Sequence, residues 1–473
     1  MADSAHKTAS SIAVIGGGIA GLSAAWQAIR ANPGRRVVIF EAADQMGGVL
    51  QTIEMDGFLV ERSADSFLMT EPLPQLYDLV VELGLLDELI ETNTEHRQAL
   101  IVRGDRLIPV PHGFQLMAAT DWRALLASPA LPWAARLRAA FEPWVRRRVA
   151  GPEESVTQFI ARRIGKEAFE YLAQPLVAGI YSADPDLLSA PAAIKQYVDF
   201  EQKYGSVTRG LLATGSRQST ASGARYGKFR TFRRGMGTLV GALEKQLAAA
   251  GVSMLANTRV SALSRAGESW SVATESTGGT ATESFEAVVV ACSAAAAARL
   301  LANVDQELSR ALGAIPYTKV AVVSAAVSHD SLANRLSAFG IVVPRREQRP
   351  IIAASFSSIK FAGRAPEGHE LVRLFLGGAL QPEVAELPAD ELAVIAQSEL
   401  RRLLQLKSAA RVLDVAVWHD ASPQYNLKHL GRVETIRSRL DGLRGLALAG
   451  SAYEGVGLPQ CVRSGRQAAS QLE

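Results

Sequence analysis

Near the start of the chain, Gly16-Gly17-Gly18-Ile19-Ala20-Gly21 places bare backbone where a phosphate could sit. In this spacing Gly16 permits a tight turn, Gly18 admits a pyrophosphate, and Gly21 lets the next helix pack closely. The free amides that open such a helix carry partial positive charge toward the phosphates. Glu41 follows twenty residues after Gly21, where a carboxylate can accept hydrogen bonds from an adenosine ribose. Ordinary turns and helix contacts use the same glycine spacing, so the flanking elements decide. Ser11 to Ile15 is a short apolar run, Leu22 to Ala31 an alanine-rich helical stretch, and Arg36 to Phe40 a second strand. Together they read as a βαβ unit that binds a dinucleotide.

A second glycine pair, Gly47-Gly48, follows the second strand. Plain nicotinamide enzymes do not need such a doublet, whereas a longer cofactor gains from close backbone there; an ordinary loop is the alternative. The far end of the chain favours the longer cofactor. Gly450-Ser451-Ala452-Tyr453-Glu454-Gly455-Val456-Gly457-Leu458-Pro459 runs into a helix whose first amides could face the electron-rich edge of a reduced isoalloxazine. Dinucleotide-facing loops at both ends of one chain point to FAD.

The remaining composition narrows the field further. Seven histidines and two cysteines, Cys292 and Cys461, show no metal-ligand spacing and no disulfide framework, so no metal is assigned. There is no Ser-His-Asp, paired-carboxylate or Cys-His arrangement for hydrolysis. Fifty Lys and Arg against 47 Asp and Glu leave a charge of +3, too little over this length for a nucleic-acid binder. With 473 residues, 48% apolar and 21% charged, the chain reads as a large folded enzyme. MADSAHKTAS lacks the apolar core of a secretory leader, and the most apolar stretch, Ala287 to Ala298, falls short of the ~20 residues that span a bilayer. A cytoplasmic protein is expected.

Beyond residue 70 apolar residues recur at helical spacing in Leu76 to Leu89 and Trp122 to Val149, and this helical segment runs to about Tyr197. Gly205 to Gly227, rich in Ser, Thr and Arg, reads as a flexible loop. Gly237 to Gly251 reads as a helix feeding the strands Val252 to Leu263, Trp270 to Glu275 and Phe285 to Ala291. A mixed α/β block spans Lys319 to Leu430, and the strand Gly445 to Ala449 precedes the last loop and a helix from Pro459.

Further blocks stand out: Val60-Glu61 through Ser66-Phe67, Gly179-Ile180-Tyr181 with Asp184-Pro185 and Leu188-Ser189, Phe232 to Gly237, Trp418 with Pro423-Gln424-Tyr425-Asn426 and His429, and Tyr453 to Gly457 followed by Cys461. In these blocks, and over nearly its whole length, the chain resembles the FAD-dependent porphyrinogen oxidases of haem synthesis, within the amine oxidase and phytoene desaturase superfamily. The resemblance implies an α/β fold with a Rossmann-like FAD-binding domain assembled from residues 1–72, 201–300 and 436–473. It adds a helical, membrane-associating insertion over 73–200 and a mixed α/β substrate domain over 301–435. Carried over position by position, it implies FAD contacts at Gly16, Gly17, Gly18, Ile19, Ala20, Gly21, Glu41, Ala42, Gly48, Val49, Ser63, Ala64, Asp65, Ser66, Val260, Ser451, Val456, Gly457 and Leu458, with Trp418 as the aromatic beside the flavin. Gly179, Ile180 and Tyr181 are similar to the substrate-cavity lining.

Three positions depart from that pattern. Ser63-Ala64 stands where relatives have Gly-Pro, and Ser182-Ala183-Asp184 where they have Ala-Gly-Asp. Relatives often carry an Arg followed by an aromatic residue that holds the substrate; here Arg97 is followed by Gln98, so Arg97 is either the carboxylate partner or a surface residue.

The activity so implied is oxygen-dependent oxidation of protoporphyrinogen IX to protoporphyrin IX with release of hydrogen peroxide. Coproporphyrinogen III, with four propionates in place of two, is the alternative substrate. An amine oxidase or carotenoid desaturase on the same flavin frame, disfavoured by the Pro423 to His429 block, and a non-catalytic flavin-containing membrane adaptor are the alternative activities. Expected partners are a small-molecule porphyrinogen and dioxygen, with no nucleic acid; contact with the cytoplasmic face of an anionic membrane and a homodimer are further options. The membrane option rests on Leu131 to Val149, where Trp133, Leu137, Phe141 and Trp144 lie among Arg136, Arg138, Arg146, Arg147 and Arg148 with Glu142 as the one acid. Such a helix suits an anionic bilayer, or else packs with a solvated basic face.

Overall fold

The computed structural model describes residues 10–69, 74–149, 151–214 and 226–473. Five short strands rich in Val, Ile and Leu form a parallel sheet in the order Ser253–Leu255, Arg36–Phe40, Ser11–Ile15, Ala287–Val290 and Leu446–Leu448. The inner strands are buried, as parallel strands covered on both faces must be. One face carries the helices Ile19–Ala31, Gly237–Ala249 and Leu458–Ser470. A Cβ at Gly465 would stand 2.0 Å from the Ala20 carbonyl oxygen, so the first and last helices touch backbone to backbone. The other face is covered by an antiparallel sheet, Thr258–Ala266, Ser269–Ser276 and Gly279–Phe285, whose Trp270 is wholly buried, and by the helices Ala294–Leu301 and Gln306–Gly313. The glycine loops after Ile15 and after Leu448 both leave the carboxyl ends of parallel strands, the edge of an open α/β sheet where ligands bind.

A second, mostly antiparallel sheet has the order Arg411–Pro423, Tyr317–Ser328, His369–Gly377, Ile351–Phe356, Gly340–Val342, Ala99–Arg103 and Arg106–Pro109. Helix Ala389–Leu404 packs on it through Leu392, Leu400 and Leu403. A third core, containing Phe159, Leu172, Val177 and Phe200, belongs to a helical layer that includes Trp133–Ala140, Val156–Ile164, Gln174–Tyr181 and Lys195–Tyr204.

Segment 73–200 is not helical throughout. Ala99–Arg103 and Arg106–Pro109 form a hairpin around Gly104-Asp105 and add to the seven-stranded sheet, because a two-residue turn between apolar runs favours strand pairing. Leu131 to Val149 is not one helix either. Trp133–Ala140 is helical, Pro143 sits in the 3₁₀ turn Glu142–Trp144, and no helix continues through Arg146 to Arg148; an interior proline cannot donate and clashes with the preceding turn. The helix expected over Leu76 to Leu89 is Pro74–Glu82, which ends before Gly84 at φ +68°, and Leu89–Glu91 is a strand.

Gly205 to Gly227 begins as the helix Val207–Ala213, capped by Ser206 Oγ accepting from Arg209 N–H at 3.1 Å. Residues 215–225 of that expected loop lie outside the described residues. Val252 to Leu263 divides at Asn257, φ +51°, into strands of two different sheets. Phe285 ends the strand Gly279–Phe285, while Ala287–Val290 enters the parallel sheet.

Candidate active site

Gly16 has φ +110°, and its N–H donates to the Phe40 carbonyl at 2.8 Å. A Cβ at Gly21 would lie 1.9 Å from the Gly16 carbonyl oxygen, so helix-on-strand packing fixes this residue. Gly18 differs: a Cβ there would meet no protein atom within 4 Å, and no side chain caps the helix amides it precedes. Open space before an uncapped helix N-terminus fits a pyrophosphate. The Glu41 carboxylate accepts from the Gly17 N–H at 2.6 Å and the Ala43 N–H at 2.8 Å, which aims it across the turn with further lone pairs for a ribose. Gly47 N–H donates to the Gly17 carbonyl at 2.8 Å, and a Cβ at Gly48 would be 3.2 Å from Gly18 Cα, so the second glycine pair lies on the first loop. Thr258 N–H donates to the Glu41 carbonyl at 2.8 Å, which brings the strand bearing Val260 beside Glu41 and Ala42.

A cavity of about 600 Å³ adjoins the last glycine loop. Its wall unites Asp65 and Ser66, Gly179, Ile180 and Tyr181, and Val456, Gly457 and Leu458, from three distant stretches of sequence. Ile341 and Phe375 add apolar surface from the seven-stranded sheet, and Phe339 from the residue just before the strand Gly340–Val342. The helix Leu458–Ser470 begins at Gly457, again without a side-chain cap, and its first turn borders the cavity. Tyr425 fixes this loop: its hydroxyl accepts from the Gly455 N–H at 2.6 Å and donates to the Ser451 carbonyl at 2.5 Å.

The cation in the cavity wall was not anticipated from the sequence. Lys360, at the end of the short helix Ser357–Lys360, is the one Lys, Arg or His lining the cavity among the described residues. Its Nζ donates to Asp65 Oδ1 at 2.9 Å and to Ser66 Oγ at 3.0 Å. Arg373, on the strand His369–Gly377 and 1% exposed, flanks Asp65 at 3.5 Å and donates to the Ser63 carbonyl at 2.5 Å. Burial alone would raise the Asp65 carboxyl, but Lys360 and Arg373 outweigh it and hold the group well below the usual carboxylate range. Behind this pair, burial raises Glu61, with hydrogen bonds from Thr52 and the Met236 N–H opposing. No local spacing announces Lys360, because Asp65 lies 295 residues away in sequence.

Trp418 does not line the cavity. Its Nε1 donates to the Arg62 carbonyl at 2.8 Å and so steadies the loop leading to Ser63, Ala64 and Asp65. Ser63 Oγ donates to the Val49 carbonyl, which ties that loop to the second glycine pair. Arg97 is not among the residues of the cavity wall: Nε donates to the Asn93 carbonyl at 2.9 Å and Nη2 to the Thr92 carbonyl at 3.0 Å, and a Cβ at Gly227 would lie 3.1 Å from Nη1.

A dinucleotide cradle on a parallel sheet, joined to an apolar cavity beside a second glycine loop, defines a flavin-dependent oxidoreductase. The chain belongs to the flavin containing amine oxidoreductases, whose family model matches residues 19–472. Within that superfamily it is similar to enzymes of haem synthesis. It is 33% identical to a coproporphyrinogen III oxidase of Propionibacterium freudenreichii, over 98% of this chain and 90% of the relative. It is 29% identical to the chloroplastic protoporphyrinogen oxidase 1 of Spinacia oleracea, over 97% of this chain and 83% of that protein. A crystal structure from Exiguobacterium sp., provisionally named a protoporphyrinogen oxidase, superposes with a TM-score of 0.84 at 26% identity and covers 98% of each chain. The fold is therefore that of the FAD-binding amine oxidases, the chain is of the porphyrinogen oxidase type, and FAD is its cofactor.

Proposed function

We propose that the protein oxidises coproporphyrinogen III to coproporphyrin III, removing six electrons in three two-electron steps and passing them to dioxygen as hydrogen peroxide. The observation that carries porphyrinogen oxidation is the largely apolar cavity walled on one side by the Val456-Gly457-Leu458 loop. FAD, when bound, supplies a two-electron acceptor that dioxygen reoxidises. The chain's own part is orientation: Ile180, Phe339 and Ile341 hold the macrocycle and exclude water, while the clamped Gly455 to Leu458 loop fixes the opposite wall. Coproporphyrinogen is favoured by the bacterial relative at 33% identity. Protoporphyrinogen IX, with two carboxylates in place of four, is the second reading, favoured by a cavity wall that carries one described cation, Lys360. Holoprotein incubated in air with each porphyrinogen should develop porphyrin fluorescence and peroxide without added nicotinamide, and the larger kcat/KM names the substrate. A strict requirement for NAD(P)H, or no porphyrin from either compound, would overturn the proposal.

Contact with a membrane surface forms part of the same reading, on a different footing from that expected. Trp122, Trp133, Phe141 and Trp144 are 57 to 68% exposed, and the Phe141 and Trp144 rings lie 5.4 Å apart. Large aromatics grouped in water suit a bilayer interface. The arginines are more committed: Arg148 pairs with Glu154 at 3.1 Å, Arg147 donates to the Gln202 carbonyl at 3.1 Å, and Arg136 and Arg138 donate to carbonyls of their own layer. Aromatic burial more than charge would therefore drive the contact. Among the described residues no helix is long and apolar enough to cross a membrane.

A further inference from the structure

An ammonium group has three N–H donors. Lys360 gives one to Asp65 and one to Ser66 at 2.9 and 3.0 Å, which leaves the third for a ligand in the cavity that Lys360 lines. We infer that Lys360 is the specificity-determining residue that holds a carboxylate of the substrate, with Asp65 as its positioning anion; this deepens, and rests on, the porphyrinogen reading above.

The charge balance supports this role. Lys360 and Arg373 flank the single carboxylate of Asp65, so this cluster carries one positive charge; the other acid of the cavity wall, Glu454, is paired with Arg437 and Arg463. Arg373 is 1% exposed and does not line the cavity, so Lys360 is the group that can present that charge. Its ammonium also lies 5.3 Å from the Phe229 ring centroid and 5.1 Å from that of Phe361, surroundings that strengthen an ion pair relative to water. A net cation in a mostly apolar wall matches a ligand with a carboxylate on an apolar body, which is the form of a porphyrinogen propionate. Asp65 keeps the two cations from repelling each other and holds Lys360 in place.

Lys360→Met tests the assignment, because Asp65 still has Arg373 and no buried charge is stranded. FAD content and Tm of the holoprotein should stay near wild type. Activity is read on coproporphyrinogen III and on its tetramethyl ester, which keeps the macrocycle and removes the charges, both in the same detergent solution. Lys360→Met should lower kcat/KM for the acid about 10- to 100-fold, chiefly through KM, and leave the ester unchanged. Lys360→Arg should recover most of the loss. Equal losses on acid and ester, or no loss on the acid, would overturn the inference. Wild-type protein that oxidises no porphyrinogen at all would sink the underlying reading, a result distinguishable from both.

Discussion

The imidazole of His429 lies flat against the Tyr425 ring, with 4.0 Å between centroids and 12° between planes. Tyr425 is also the residue whose hydroxyl ties Gly455 to Ser451, so the stack is the footing of the loop beside the flavin site. Tyr425→Phe keeps the stacked ring and removes both hydrogen bonds. FAD affinity is expected to fall by about 1 to 3 kcal/mol, the sum for two such bonds. Titration of apoprotein with FAD would show it, and an unchanged Kd would mean that the loop holds itself.

The same stack predicts a pH dependence of stability. Burial first, then the Arg432 guanidinium, push His429 down to about 4 from an ordinary 6.5. Between those values the unfolded chain binds the proton and the folded chain does not, so stability rises with pH across that window. The contribution is fully present above pH 6.5 and is lost as pH falls toward 4, a difference of about 3 kcal/mol. His429→Gln should flatten this part of the Tm-against-pH curve. A parallel curve in the variant would remove His429 as its source.

Gly18 and Gly21 should fail in different ways. A Cβ at Gly18 meets no protein atom within 4 Å, whereas one at Gly21 lies 1.9 Å from backbone. Gly18→Val should give a folded protein that does not retain FAD, because its side chain occupies the pyrophosphate position. Gly21→Val should lose about 1 to 3 kcal/mol of stability through overpacking. Thermal melts of the two apoproteins separate these effects; equal melts would contradict the division of roles.

This contrast shows what the sequence made legible. The fingerprint, Glu41 and the second glycine pair are close in sequence, their geometry is dictated by one βαβ unit, and the structure adds that Gly48 lies on Gly18. The Gly179 to Tyr181 and Val456 to Leu458 blocks also meet in one cavity, although only the resemblance, not spacing, joined them. Lys360 was illegible because its partners are 294 and 295 residues away and its own neighbourhood, Ser358-Ile359-Lys360, carries no signature. The return strand Arg106–Pro109 and the partner sheet of Ala99–Arg103 were hidden for a related reason: that sheet is supplied by residues 317–423, far down the chain.

Glu142 is the one acid in the basic stretch Leu131 to Val149, yet it is 1% exposed and paired with Arg163, also 1% exposed. Its carboxylate accepts further from Ser206 Oγ at 2.6 Å and from the Val207 and Thr208 N–H groups at 3.0 Å, so it caps the helix Val207–Ala213. Glu142→Ala leaves two helix amides unpaired and the buried Arg163 guanidinium with Glu201 as its remaining carboxylate, and should destabilise the protein by about 3 kcal/mol, the low end for breaking a buried pair. Urea melts would measure it. A change below about 1 kcal/mol would show that water replaces the carboxylate.

The exposed aromatic group yields a test that separates apolar from ionic attachment. Trp133, Phe141 and Trp144 are each at least 60% exposed, so replacing them by serine removes little internal packing. If they enter a bilayer interface, the triple variant should bind vesicles more weakly by roughly 1 to 2 kcal/mol per ring, at low and high salt alike. Neutralising Arg146 and Arg147 should matter less, by about 1 kcal/mol per charge at most, and that difference should shrink as salt is added. Activity on a detergent-dispersed porphyrinogen should be the same in all of these proteins, since none of the five residues lines the cavity. Binding by the serine variant equal to that of the parent, or a parent that ignores both anionic and zwitterionic vesicles, would reject the membrane surface as the partner of this patch.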